Sequence, residues 1–548
     1  MAFDRASLWL RETALDIRRA VLPLWEALNV AVVLLARRAR GRPTDYQKLV
    51  RRALERLGLT YLKLGQYLAM RLDLLPEELC EELSRLYEDV SPVDFDEVKE
   101  TVEAELRGPL AQFFLDFHRE PVASASVAQV HEARTCTNER VAVKVQRPGI
   151  RPIFAADMRN LRRAAVLSDV LGISGTLSVE EIVGEFEKWT ARELDFLTEG
   201  RTADRLRRNA TDQEVVPVVY WKLTTPKVLT MQFIDGMSLG QLIGLVRRGR
   251  EDVVKERLPN AYLPQAGHNM AYASLHQSLV CGFFHGDPHP GNVIILDDNS
   301  VAFVDFGIFG ELSDYHREVL AGYIESIAVG NIGEAFRYFS KLSTPTELTD
   351  FRAFERDASA SIRAWYVASR RPNATFKERH MGTYFGRMLG AVRRHRLRMG
   401  MDTLLFWRAM SALDYSALSM SAHFDLLDEL RGFFEQIRPG PVERLLNVLN
   451  DRHFKTDVAA LTTGAPDHME IIMQVLSGEN LGRLLGAQES TEERPSDLIT
   501  TRCLSAALVG VSLTIAGLAG HVGIFSLLFI LSAAVILFSF SLAEARPR

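Results

Sequence analysis

Apolar positions divide the chain into stretches of different period. From residue 57 to about 120, leucines recur three and four apart, through Leu72-Asp73-Leu74-Leu75 and Leu83–Leu86, and this spacing predicts helices. Between 121 and 147 the period shortens to two and ends in the alternating run Val141-Ala142-Val143-Lys144-Val145, which predicts strands. A helical stretch follows over 152–212, then two strands near Val215–Trp221 and Lys227–Phe233. From 237 to 480 the pattern is mostly helical, interrupted by glycines and prolines over 282–310. Near the N-terminus, Val21, Leu22, Leu24, Trp25, Leu28 and Val32 share one helical face between Arg18-Arg19 and Arg37-Arg38-Arg40. Such a helix suits either an anionic membrane surface or a place against the main domain.

The C-terminal pattern is of another kind. The 41 residues from Cys503 to Ala543 contain no Asp, Glu, Lys or Arg. As a helix they would reach ~60 Å, about twice a ~30 Å hydrocarbon core. Gly520-His521-Val522-Gly523 divides them, so a transmembrane helical hairpin is expected. Arg502 before it and Arg546 and Arg548 after it place both ends on the cytoplasmic side. The expected organisation is a basic amphipathic and helical extension (1–120), a small lobe (121–236), a helical lobe (237–486), a polar linker (487–502) and the membrane hairpin with its tail (503–548).

Composition changes this picture little. The chain has 548 residues, a net charge of −5 and a mean hydropathy of −0.02. These averages exclude collagen, wholesale disorder, a disulfide-dense mini-protein and a polytopic carrier. A near-neutral chain is no polyanion binder, so no nucleic-acid partner is expected. The first 56 residues alone carry twelve Lys/Arg against six Asp/Glu. Cys80, Cys136, Cys281 and Cys503 lack metal-ligand spacing, which predicts a reduced compartment. Asp4, Glu12, Asp16 and Glu26 argue against a leader peptide in the first 29 residues.

The candidate chemistry lies in the punctuated stretch. His285-Gly286-Asp287-Pro288-His289-Pro290-Gly291-Asn292 precedes Val304-Asp305-Phe306-Gly307. An Asp with an Asn five residues on, followed by Asp-Phe-Gly, is the apparatus of kinase-like phosphoryl transfer. The triphosphate of ATP takes Mg²⁺, and Mg²⁺ takes hard oxygens, here from Asn292 and Asp305. Asp287 stands where a group would accept a proton or orient a nucleophile. Lys144 supplies the cation that reaches the phosphates from a strand. Its carboxylate partner comes from Glu193, Asp195 or Glu199, a choice the spacing leaves open. Gln232 and Phe233 end a strand where a hinge would present backbone to adenine. No glycine occurs between Gly108 and Gly149, so the phosphate-covering loop is Ala123-Ser124-Ala125-Ser126. No Ala-Pro-Glu element follows Asp305, which leaves little segment to dock a peptide substrate.

With Lys63-Leu64-Gly65-Gln66, the alanine-serine loop, Glu193-Leu194-Asp195 and the stretch from His285 to Asn292, the chain resembles the UbiB family of atypical kinases, the protein-kinase-like group linked to ubiquinone biosynthesis. The resemblance covers roughly residues 50–312. It implies an α+β, two-lobed protein-kinase-like fold. It also implies that the helices carrying Lys63, Gly65 and Gln66 cover the active site, with Lys63 meeting Glu193 and Asp195 and with Glu199 pairing Lys144. Two departures stand out: Ser124 where the family has alanine, and Gln232 where Glu is commoner.

The leading expectation is a membrane-anchored, Mg-dependent ATP-binding kinase or ATPase, with its catalytic domain on the cytoplasmic side of a bacterial plasma membrane. It would support ubiquinone or related isoprenoid lipid metabolism. Its partners would be ATP, a quinone precursor or other isoprenoid lipid, and lipid-biosynthesis enzymes, with the membrane helices open to homo-oligomerisation. The alternatives are a protein kinase acting in trans and a nucleotide-gated lipid-binding scaffold that does not hydrolyse ATP.

Overall fold

The computed structural model describes residues 45–437 apart from 72–74, 88–91, 171–178, 372 and 422–423, together with helical positions between 15 and 34. The sheets and the candidate site lie within one compact unit, which takes in the described residues up to 431. The expected linker (487–502) and the expected transmembrane hairpin with its tail (503–548) lie outside the described residues. Among the described residues no helix is long and apolar enough to cross a membrane.

Helices α1 (Tyr46–Leu57), α2 (Leu59–Ala69) and α3 (Glu77–Ser84) pack around Leu79, Leu83 and Leu86, with Val50, Leu54 and Leu62 closing the cluster. Helix α4 (Phe95–Leu106) then lies on a four-stranded antiparallel sheet. Its strands are β1 (Phe114–Ser124), β2 (Ala128–Thr135), β3 (Arg140–Gln146) and, later in the chain, β5 (Val228–Gln232), in that order. Alternation decides the two faces of β3. Val141, Val143 and Val145 pack against Val98 and Val102 of α4, which turns Lys144 to the other side.

Strand β1 begins at Phe114, earlier than the expected 121. It is an edge strand, exposed along most of its length, so it carries no alternating apolar signal. The expected strand near 215–221 is also shorter. Only β4 (Glu214–Val215) is strand, and Trp221–Leu223 is a single 3₁₀ turn.

Three helices fill the expected helical stretch: α5 (Ile150–Val170), α6 (Val179–Glu193) and α7 (Phe196–Arg208). Beyond β5 the chain makes β6 (Met237–Ser238), α8 (Leu239–Arg247), α9 (Leu263–Leu275) and a π turn over His276–Val280. Next come β7 (Phe283–His285), β8 (Val293–Ile295), β9 (Val301–Phe303) and β10 (Phe309–Glu311). A second small sheet runs β4-β9-β8-β6, and β10 pairs with β7. The lobe is completed by α10 (Asp314–Ala328), α11 (Ile332–Lys341), α12 (Phe351–Ser369), α13 (Met381–Arg394) and α14 (Met401–Met420), and α15 (Leu426–Ile437) follows in the chain. Helix α14 buries residues on every side, among them Leu405, Phe406, Trp407 and Leu413, as a central helix must.

Candidate functional site

Sheet register brings the two reactive loops together. Val293 pairs with Phe303 across β8 and β9, and the Val304 N–H donates to the Asn292 carbonyl at 2.9 Å. The loop before β8 and the loop after β9 therefore leave at one edge, with Asn292 beside Asp305. Lys144 enters from β3 of the other sheet. Its ammonium donates to Glu199 Oε1 at 2.7 Å and to Asp305 Oδ1 at 2.9 Å. Glu199, on the first turn of α7, also accepts the Phe306 N–H at 3.2 Å.

Charge explains the protonation of this cluster. Burial disfavours the Lys144 ammonium, yet the carboxylates of Asp305 and Glu199 hold it above the usual lysine range. Burial would raise Asp305, but Lys144 outweighs it and keeps that carboxyl well below the ordinary range. Glu199, more enclosed, is pushed up to about 7 by burial against the pull of Lys144. Asp305 takes a left-handed backbone (φ 66°), uncommon for a residue with a Cβ, and so turns its carboxylate toward Lys144 and the Gly307 N–H.

The helical extension reaches the same place. Lys63 of α2 forms a buried ion pair with Glu193 at the end of α6, above Trp189. A Cβ on Gly307 would lie 3.2 Å from Glu193 Cγ, so the Asp-Phe-Gly turn packs directly against that pair. Asp195 does not share in it. Its carboxylate caps α7, accepting from Leu197 N at 3.2 Å and Thr198 Oγ1 at 2.9 Å, which corrects the expected division. Gly65 and Gln66 lie against Leu86. Gln66 donates to the Leu86 carbonyl at 3.1 Å, and a Cβ on Gly65 would meet Leu86 Cδ1 at 2.3 Å. Those two residues pack α2 against the turn at Leu86, and Lys63 reaches Glu193.

Asp287 is buried and held from all sides. Its N–H donates to His285 Nδ1 at 3.1 Å, and its carbonyl accepts from Asn292 Nδ2 at 3.2 Å. Its carboxylate accepts from Arg408 of α14 at 2.8 Å. No spacing pattern pointed to Arg408, which lies 121 residues from Asp287 and among apolar neighbours. A second contact the sequence did not signal lies behind the loop. Gln277 of the π turn donates to buried Glu214 at 2.6 Å and accepts the His285 N–H at 2.9 Å.

The loop over the phosphate region closes tightly without glycine. The Ala125 N–H donates to the Ala128 carbonyl at 2.8 Å, and Ser126 is buried. Arg147, just past β3, donates to Ser124 Oγ and to the Ala125 carbonyl, each at 2.8 Å. The Ser124 hydroxyl that sets this loop apart from Ala123 and Ala125 is thus the acceptor of a latch. At the hinge, the Gln232 N–H goes to the Val218 carbonyl at 2.8 Å and the Phe233 N–H to the Arg140 carbonyl at 3.1 Å. These two N–H groups are taken by the sheet.

The donor set fits a magnesium-nucleotide. The Asn292 amide nitrogen is committed to the Asp287 carbonyl, so the hard donor it could offer a cation is its amide oxygen. Buried Glu199 Oε2 and Glu193 Oε2 have no hydrogen-bond partner in the structure. Among the described residues no group of three or more His, Cys, Asp or Glu could hold a metal ion.

Residues 85–338 match the family model described as the ABC1 atypical kinase-like domain. "Protein ACTIVITY OF BC1 COMPLEX KINASE 7, chloroplastic" of Arabidopsis thaliana is 34% identical over 294 residues, covering 53% of this chain and 40% of its own. "Probable protein kinase UbiB" of Pseudomonas putida (strain F1) is 35% identical over 310 residues, covering 55% of each. The chain thus spans about half the length of these curated relatives. The solved complex of Rv3197 with erythromycin from Mycobacterium tuberculosis aligns with a TM-score of 0.48 at 21% identity, over 69% of this chain and 91% of that one. The α+β arrangement of the described residues is a kinase-like fold.

Proposed function

We propose, for a chain whose residues 85–338 belong to the ABC1 atypical kinase-like family, that it binds MgATP and transfers or hydrolyses the γ-phosphoryl group at a membrane surface, in support of ubiquinone or related isoprenoid lipid metabolism. The observation that carries the nucleotide reading is Lys144 bridging Glu199 and Asp305 beside Asn292. Asp305 and Asn292 would hold the cation, which neutralises charge on the β- and γ-phosphates when bound. Lys144, kept charged by its two carboxylates, orients the phosphates. Asp287 meets the attacking hydroxyl or water, and the alanine-serine loop covers the triphosphate. Lys63 and Glu193 wall off the side on which a peptide would otherwise dock. Helix α10 starts almost directly after Asp305, which favours a small acceptor over a protein one.

The lipid part of the reading is supported by the N-terminal helix. Val21, Leu22, Trp25, Leu28 and Val32 are exposed on one face, while Glu26, Ala27 and Val30 turn inward. That exposed stripe and the uncharged run 503–543 suit a membrane-anchored protein with its catalytic domain on the cytoplasmic side, close to a quinone precursor. The test is ATP turnover by the full chain on anionic vesicles with and without a prenylated quinone precursor. Turnover that is stimulated by the vesicles and lost in Asp305→Asn is expected. Turnover that is equal in wild type and Asp305→Asn sinks the enzymatic reading, and indifference to vesicles and precursor sinks the lipid one.

A further inference from the structure

We propose that Arg408 is the positioning residue for Asp287, and that it sets how fast the phosphoryl group is transferred without taking part in nucleotide binding. The inference rests on the phosphoryl-transfer reading above.

The main chain of Asp287 is fixed at both its N–H and its carbonyl, by His285 Nδ1 and by the Asn292 side chain. Only the side-chain torsions remain to be set. Arg408 Nη2 sets them through a 2.8 Å ion pair to Oδ1, with the two side chains 21% and 8% exposed. That leaves Oδ2 to meet an acceptor. The arginine itself has little freedom, since Leu404, Leu405, Phe406 and Trp407 before it and Ala409 and Met410 after it are buried. Its Nη1 also meets the sulfur of Met70 at the end of α2, so the same guanidinium touches the helix that carries Lys63.

Arginine suits this place. Its guanidinium stays charged in a poorly hydrated site, and its planar fork holds two partners at fixed angles, which an ammonium does not. In the transfer step the acceptor oxygen bonds to the γ-phosphorus and its proton passes to Asp287 Oδ2. The bond from that phosphorus to the β,γ-bridging oxygen breaks, and ADP leaves with the electron pair. A carboxylate free to rotate meets the hydroxyl less often, and misplacement of this order costs up to about 100-fold in rate.

The experiment measures MgATP turnover by the full chain in wild type, Arg408→Gln, Arg408→Lys, Asp287→Asn and the Arg408→Gln/Asp287→Asn pair, with Asp305→Asn as the control. Arg408→Gln is expected to lower kcat roughly 10- to 100-fold while the KM for ATP stays within about two-fold. Arg408→Lys should restore part of that loss, because it returns the charge without the fork. The double variant should turn over at the Asp287→Asn rate, since a carboxylate that is gone needs no positioning. Three results overturn the inference with the enzymatic reading intact: an unchanged kcat; a raised kcat, which would make Arg408 a restraint; or kcat, KM and melting temperature failing together with lysine no better than glutamine. If Arg408→Gln does not fold, the lysine variant decides: kcat lowered at constant KM supports the role, and full activity overturns it. Wild-type turnover no faster than that of Asp305→Asn overturns the enzymatic reading and the role of Arg408 with it.

Discussion

At the scale of single residues, the loop latch and the buried carboxylates make the sharpest expectations. Ser124 Oγ accepts from Arg147 Nη2, and Arg147 sits in a desolvated place that lowers its pKa below the usual arginine value. Ser124→Ala removes that acceptor while the Ala125 carbonyl keeps its own bond. A loss of about 1 kcal/mol is expected, read as a lower melting temperature. No change would mean that the serine is an ornament of the loop. Glu214 is enclosed, and burial pushes it up to about 7 against the hydrogen bonds from Gln277 and Thr211. Its folded value lies above the ordinary 4.5, so between those two pH values the folded chain holds a proton the unfolded chain has lost. The stability this gives is complete below about 4.5 and is lost as pH rises through about 7. Glu214→Gln should therefore match wild type in acid and exceed it above neutrality by up to about 3 kcal/mol. Parallel melting curves at both ends of the pH range would contradict this.

At the scale of elements, the fit of α2 decides how the helical extension reaches the site. Gly65 lies against the side-chain methyl groups of Leu86 and Leu54, in the cluster around Leu79 and Leu83. Gly65→Ala gains up to about 1 kcal/mol of helix propensity. It also forces a methyl group into a filled space, at a cost of about 1–3 kcal/mol. The second effect wins, so a net loss of about 1 kcal/mol and a lower melting temperature are expected. A rise in melting temperature would show that the helices separate easily. The π turn over His276–Val280 has a comparable role. It places Gln277 where one amide side chain serves both Glu214 and the backbone of His285, at the start of the reactive loop.

At the scale of the molecule, the helical positions between 15 and 34 are joined to the kinase-like domain by charge while their apolar face looks outward. Arg19 donates to both oxygens of Asp157, at 2.7 and 2.5 Å, and Asp157 is fully buried in α5. Arg56 makes the matching pair with Glu26. This inverts the usual arrangement, in which the apolar stripe faces the core. Breaking a buried pair leaves a charge without a partner, so Arg19→Met should destabilise the chain by about 3 kcal/mol. Adding Asp157→Asn should return much of that loss. A double variant no more stable than Arg19→Met would argue that the helix is not held by this contact.

The sequence by itself determined the reactive loops and the strand lysine. Asp287, Asn292, Asp305 and Lys144 sit in short motifs whose spacing follows from chemistry, and period-two alternation turns Lys144 away from the core. It also revealed the apolar face of the N-terminal helix, though not which way that face would point. The tertiary structure decided the rest, because the remaining contacts join residues far apart in the chain. Family resemblance assigned Glu199 to Lys144 and Glu193 to Lys63, and the folded chain has these pairs. It gives Asp195 to a helix cap instead, a competition between local and distant partners that spacing cannot settle. The hinge N–H groups went to the sheet for the same reason, since backbone pairing depends on which strand lies alongside. Edge strand β1 was legible only in part, because exposed positions carry no periodic signal. Arg408 was not legible at all: its place beside Asp287 is fixed by how a buried helix packs, and no local pattern in the chain records that.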